Sequence, residues 1–141
     1  MTNKEILYSI ATALAITLST STIAGNITLK SQNEPKVIII KCGPTPTTET
    51  DTHLFIPPNG QRGPLPYVLI KAGFHHSHLS CDFYEDGSNK DIATANLYIS
   101  DDFTTATITN AENFDPSQFY IKISTPLNLP AESITAVVEK I

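Results

Sequence analysis

The chain has no tryptophan, one methionine, one arginine and two cysteines among 141 residues. Each scarcity removes a class of function. The methionine is Met1, so the rest of the chain offers no thioether ligand for copper. Arg62 and the lysines at 30, 36, 41, 71, 90, 122 and 140 are scattered, with no cluster or stripe. Phosphate backbones and anionic lipid surfaces are held by clustered cations, so nucleic acid and charged membranes are not expected partners. A formal net charge of −5 points the same way. There is no glycine-rich nucleotide motif and no internal repeat, and beyond the N-terminal region no apolar run approaches the ~20 residues a spanning helix needs.

What is present begins with an export signature. A short polar start, "MTNKE", precedes the apolar run "ILYSIATALAITL" (6–18) and the small residues "STSTIAG" (19–25). Thr22 and Ala24 fit a small-x-small cleavage site. The expectation is a cleaved signal peptide over 1–24 and a mature domain over 25–141, secreted or periplasmic. An uncleaved anchor or an amphipathic first helix is the alternative. The mature length suits one domain with a core of its own.

Cys42 and Cys81 are an even pair in an exported chain, which implies a disulfide. In "KVIIIKC" (36–42), Cys42 shares a strand face with Ile38 and Ile40. In "HLSCDFY" (78–84), Cys81 shares one with Leu79 and Phe83. Both thiols therefore point inward. Immunoglobulin domains combine such a pair with a buried tryptophan and a wider spacing, neither of which occurs here.

The periodicity predicts strands almost throughout. "NITLKS" (26–31), "HLFI" (53–56), "YVLIKA" (67–72), "IATANLYIS" (92–100), "FTTATIT" (103–109), "FYIKIS" (119–124) and "SITAVVEKI" (133–141) join the two cysteine segments. The β-branched run of "KVIIIKC" reads as a strand buried on both faces. Asp86-Gly87 and "SDD" (100–102) read as tight turns, and 110–117 and 125–132 as longer loops. Most of the ten prolines fall in 42–52 and 57–66, which predicts loops or edges there. The fold class is all-β: a single-domain antiparallel β-sandwich, or small barrel, of about eight strands, stapled by one disulfide.

Three of the four histidines lie in "FHHSH" (74–78). Extending the strand of Cys81 backwards in phase puts His76 and His78 on the outward face, about 7 Å apart along the backbone. Two imidazoles so placed can share Cu²⁺, Ni²⁺ or Zn²⁺, with His75, His53 or Asp82 assisting. A structural zinc site wants four ligands and a catalytic one three, so a solvated polar strand face competes with the metal reading. Ser77 makes no triad, because neighbours along a strand face opposite ways. The pairs Glu85-Asp86 and Asp101-Asp102 lie in turns, where such residues serve the backbone.

No convergent catalytic set emerges, so the chain reads as a non-enzyme. The first functional expectation is a small exported binding or scaffolding module with a protein or glycan partner. "HLFIPPNGQRGPLPY" would present Phe55, Arg62, Leu65 and Tyr67 as anchors. The alternatives are a transition-metal binder using His76 and His78, and a structural subunit that assembles through strand edges.

Overall fold

The computed structural model describes residues 25–44 and 53–141. The segment expected as a signal peptide, 1–24, falls outside these residues, as do the threonines of 45–52. Nine strands and one helix are described: β1 (Asn26–Gln32), β2 (Ile38–Pro44), β3 (His53–Ile56), β4 (Gln61–Pro66), α1 (Tyr67–Phe74), β5 (His78–Glu85), β6 (Ala93–Ile99), β7 (Ala106–Asn113), β8 (Phe119–Ile123) and β9 (Ser133–Lys140). They form a four-stranded sheet in the order β4-β1-β9-β8 and a five-stranded sheet in the order β3-β2-β5-β6-β7.

The sandwich is not purely antiparallel. β1 runs parallel to β9, from Asn26 opposite Ser133 to Gln32 opposite Glu139. Antiparallel order is imposed where a tight turn joins neighbours. These two strands are separated by nearly the whole domain, so no turn constrains their direction.

Inward residues of both sheets form one core. Ile38, Ile40, Leu79, Ile99, Ile134 and Val138 are each almost wholly buried. Ile39 and Lys41 between them are only half-buried, so β2 alternates and is not covered on both faces as its β-branched run suggested. Cys42 and Cys81 are direct cross-strand partners on β2 and β5, bonded with Cα atoms 4.1 Å apart. The staple therefore lies within one sheet. It closes a loop across a sequence separation of 39, worth about 4 kcal/mol by chain entropy.

The segment 67–72, expected as a strand, is the start of helix α1. A short apolar run does not separate strand from helix by hydrophobicity alone. Here the buried residues are Tyr67, Ile70 and Phe74, a spacing that follows a helical stripe. His75 ends the helix in the left-handed region, φ 63°, with its N–H donating to the Lys71 carbonyl. Pro66 precedes the helix and Pro64 lies in β4, an edge strand, where a missing N–H is tolerated. Gly25 packs so closely on the Tyr67 ring that no side chain fits there.

β7 begins three residues later than the sequence suggested and runs through what looked like a loop. Residues 100–105 are consumed by a side-chain-built turn. Asp102 Oδ1 accepts from the Ser100 hydroxyl and from the Thr104 N–H and hydroxyl, and Phe103 takes φ 62°.

Candidate binding site

The two sheets do not fill the space between them. A cavity of about 210 Å³ lies there, reaching from Leu54 on β3 to Ala111 on β7. The cause is side-chain size. Inward positions on the β6–β7 side carry Ala93, Ala95 and Ala111, and β9 contributes Ala136 from the other sheet. Alanine faces alanine where the opposite side of the core carries isoleucine and leucine. Sheets pack about 10 Å apart, a gap that small residues on both faces leave unfilled.

The opening lies beside β7 and β8, the last strands of their sheets. Leu97, Ala111, Ile121 and Ile123 pack against the core yet remain only half-buried. The first half of β7 is guarded by the segment before β9. The Asn128 N–H donates to Ile108, and Ala131 bridges Ala106. This guard stops at Ile108. Beyond it, β7 carries one extra residue relative to β6: Thr94 pairs with Glu112, but Asn96 pairs with Thr109. Asn110 absorbs the insertion with φ 51°, a conformation asparagine tolerates. The bulge leaves the backbone of 94–96 and 111–113 along the wall of the cavity.

The turn from β7 to β8 is fixed by Asn113. Its Nδ2 donates to the Phe119 carbonyl and its Oδ1 accepts the Asp115 N–H. The start of β8 is further held by the Ile141 N–H on Gln118 and by the Lys140 ammonium 5.5 Å from the Phe119 ring centre. The mouth thus has a rigid corner at one end and the 125–131 segment at the other.

The wall is mostly apolar, with Thr94, Asn96, Glu112 and Asn113 its polar residues. No lysine, arginine or histidine lines it, and Glu112 is its one ionisable residue. No family model matches the chain, and no curated protein matches it. The site therefore stands on its geometry.

A second cluster lies where Glu34 meets the ends of β5 and β9. Glu34 is fully buried. Its Oε1 accepts the Lys36 N–H, while Oε2 has no hydrogen-bond partner. Burial, reinforced by the Glu85 carboxylate, pushes the Glu34 carboxyl above its ordinary range. Burial would raise Glu85 too, but Lys140, whose ammonium donates to Glu85 Oε2 at 2.7 Å, holds it below that range. The arrangement is a buried carboxyl beside a Glu85–Lys140 ion pair. It fastens the β1–β2 connection to the sandwich.

The residues singled out from the sequence are dispersed. Phe55 is half-exposed on β3, its ring 6.2 Å from that of His53. Arg62 is exposed on β4, in the other sheet, and Leu65 packs against the core opposite Ile27. Tyr67 is wholly buried. Its hydroxyl donates to the Ala131 carbonyl, and burial pushes its pKa to about 12. It is a core residue, unavailable as a surface anchor. His78 opens β5 with its ring 4.4 Å from that of Tyr98, its cross-strand partner. His76 sits in the turn after α1, so the strand phase that placed it beside His78 does not reach it. His53 lies across β2 from Asp82, both opposite Lys41. Among the described residues no three of His, Cys, Asp or Glu are grouped to hold a metal ion.

Period-two alternation in "IATANLYIS" (92–100) puts Ala93, Ala95, Leu97 and Ile99 on one face, and alanine at a core-facing position fills little of a core.

Proposed function

We propose that the chain is an exported, non-catalytic binding module and that its binding element is the cavity between the sheets. The observation that carries this is an apolar space in a stapled sandwich, walled on the β6–β7 side by alanines. Apolar cavities of ~150 Å³ in protein cores stay dry and take up benzene or xenon, and this one is larger. The cysteine pair supports an oxidising destination, secreted or periplasmic. The Pro-rich stretch carries less weight as a binding loop, since it supplies an edge strand and a buried tyrosine.

Methyl-detected NMR of the exported protein under xenon, and separately with benzene, tests the reading. Shifts confined to Ala95, Leu97, Ala111 and Ile123 are expected. Unmoved methyls at these positions would sink it.

A second reading, assembly through strand edges, has one observation in its favour. β8 ends its sheet with Tyr120 half-exposed, and Phe114 beside it is also uncovered. Lys122 on β8 counts against it, since a charge on an edge strand discourages pairing. Lys122→Val should therefore promote concentration-dependent association in sedimentation runs if the edge is ready to pair. An unchanged monomer would remove this reading.

A further inference from the structure

The shape and chemistry of the cavity restrict what enters it. We infer that its ligand is a slender, uncharged molecule built on an unbranched alkyl chain, with a small neutral polar head left at the β7–β8 mouth. This rests on the cavity reading above and goes further by naming the chemical class.

Length comes first. The lining runs from Leu54 on β3 to Ala111 on β7, across all five strands of one sheet. Four strand spacings amount to about 19 Å. A space lined across that width and held in the ~10 Å gap between two sheets is long and shallow. A flexible chain threads it; a fused ring system does not.

Polarity comes next. Of the polar residues in the lining, Asn96 Oδ1 accepts the Ser80 hydroxyl, the Asn113 amide is taken up by Phe119 and Asp115, and Glu112 is exposed. Thr94 is the remaining polar side chain of the wall. A sugar or peptide would bury polar groups unpaired, at a cost in binding. The charge pattern excludes anions too. A carboxylate or phosphate drawn in would find no cation in the wall and Glu112 at the rim. A hydroxyl or similar neutral head fares better. It can rest at the mouth, where the second half of β7 lies beyond the guarding segment and β8 ends its sheet.

The frame is built to hold the cavity open. The Cys42–Cys81 staple forms part of its wall, and the Asn113 clamp fixes one corner of the mouth. An open, pre-formed apolar site loses little ordering entropy when filled.

The test is a chain-length series on the exported protein, read by methyl shifts: 1-butanol, 1-hexanol and 1-octanol, with octanoate, naphthalene and xenon as comparators. Affinity should rise about fourfold for each added methylene, the increment expected for transfer of one CH₂ from water. Octanoate should bind at least tenfold more weakly than 1-octanol, and naphthalene more weakly than 1-hexanol. Ala111→Leu should abolish 1-octanol binding. Ala95→Leu, at the neighbouring wall position, is the second variant should the first fail to fold. Octanoate matching 1-octanol, or naphthalene exceeding it, would overturn the proposed class while leaving the cavity reading intact. Xenon and alcohols alike failing to move the methyls would overturn both. Concentration-dependent dimerisation that shields the same methyls with no alcohol present would overturn the inference in favour of strand insertion by a second copy.

Discussion

The β2–β5 half of the five-stranded sheet and the β6–β7 half are packed by opposite means. On β2 and β5, Ile38, Ile40 and Leu79 are almost fully buried and a disulfide joins the strands. On β6 and β7, Ala95, Leu97 and Ala111 are inward yet half-exposed, and a bulge separates the partners. Both halves belong to one sheet and face the same opposing layer. The difference teaches that a sandwich need not be uniformly filled. Large side chains and a covalent link wall the cavity on one side, and alanines wall it on the other.

The largest break in this comparison is removal of the staple. Cys42→Ala with Cys81→Ala should cost about 4 kcal/mol in denaturant unfolding. A loss below ~1 kcal/mol would mean the two halves are equally self-sufficient. Next comes Ile40→Ala, expected to cost about 3 kcal/mol as truncation of an almost wholly buried side chain, against about 1 kcal/mol for Ile123→Ala, half-buried on the same cavity. Equal costs would erase the distinction. Filling should act the other way. Ala111→Leu is expected to raise stability by about 1 kcal/mol, and a comparable loss would show that the apparent space is already occupied.

A smaller effect separates the halves by pH. The Glu34 carboxyl is raised in the folded protein, so its contribution is fully present below its unfolded pKa near 4.5 and is lost as pH rises through the folded value. Glu85 is lowered and works oppositely: its contribution is present above that range and is lost as pH falls through the folded value. Glu34→Gln keeps the acceptor for Lys36 and supplies an amide donor toward Glu85 without a charge. The variant should match the wild type near pH 4 and gain on it steadily toward pH 8 in thermal scans. Parallel curves would refute the raised Glu34 carboxyl. The smallest effect concerns the histidines. Zn²⁺, Cu²⁺ or Ni²⁺ should bind the untagged protein more weakly than ~100 µM at pH 7, a free energy of about −5.5 kcal/mol. Sub-micromolar one-to-one binding, lost with His76→Ala and His78→Ala together, would restore the metal reading.

Much of the architecture was legible in the sequence because strand alternation is a local property. The inward phase of Ile38, Ile40 and Cys42, and of Leu79 and Cys81, follows from period two alone, and the cysteine pairing follows from their number. Helix α1 was misread because "YVLIKA" is too short for its helical stripe to show before Phe74 is included. The parallel pairing of β1 with β9 was illegible for a different reason: it is a contact between chain ends, and no turn announces it. The site was half-legible. Alternation sets Ala93 and Ala95 on one face with Leu97 and Ile99, but a cavity is a shortage of volume summed over two sheets. It cannot be seen until β8, β9 and the bulge at Asn110 are brought opposite them. The loop anchors were chosen by residue type, and type does not distinguish the buried Tyr67 from the exposed Arg62.

The left-handed Asn110 has a consequence in mutational terms. Losing this one codon would set Ala95 squarely opposite Ala111 and turn a bulged edge into a regular ladder. The mouth beside β7 is therefore a feature a single in-frame deletion could erase without touching the core, the staple or any side chain of the wall. Gain and loss of binding in related chains would then be written as a length change at this position, where a survey of substitutions alone would miss it.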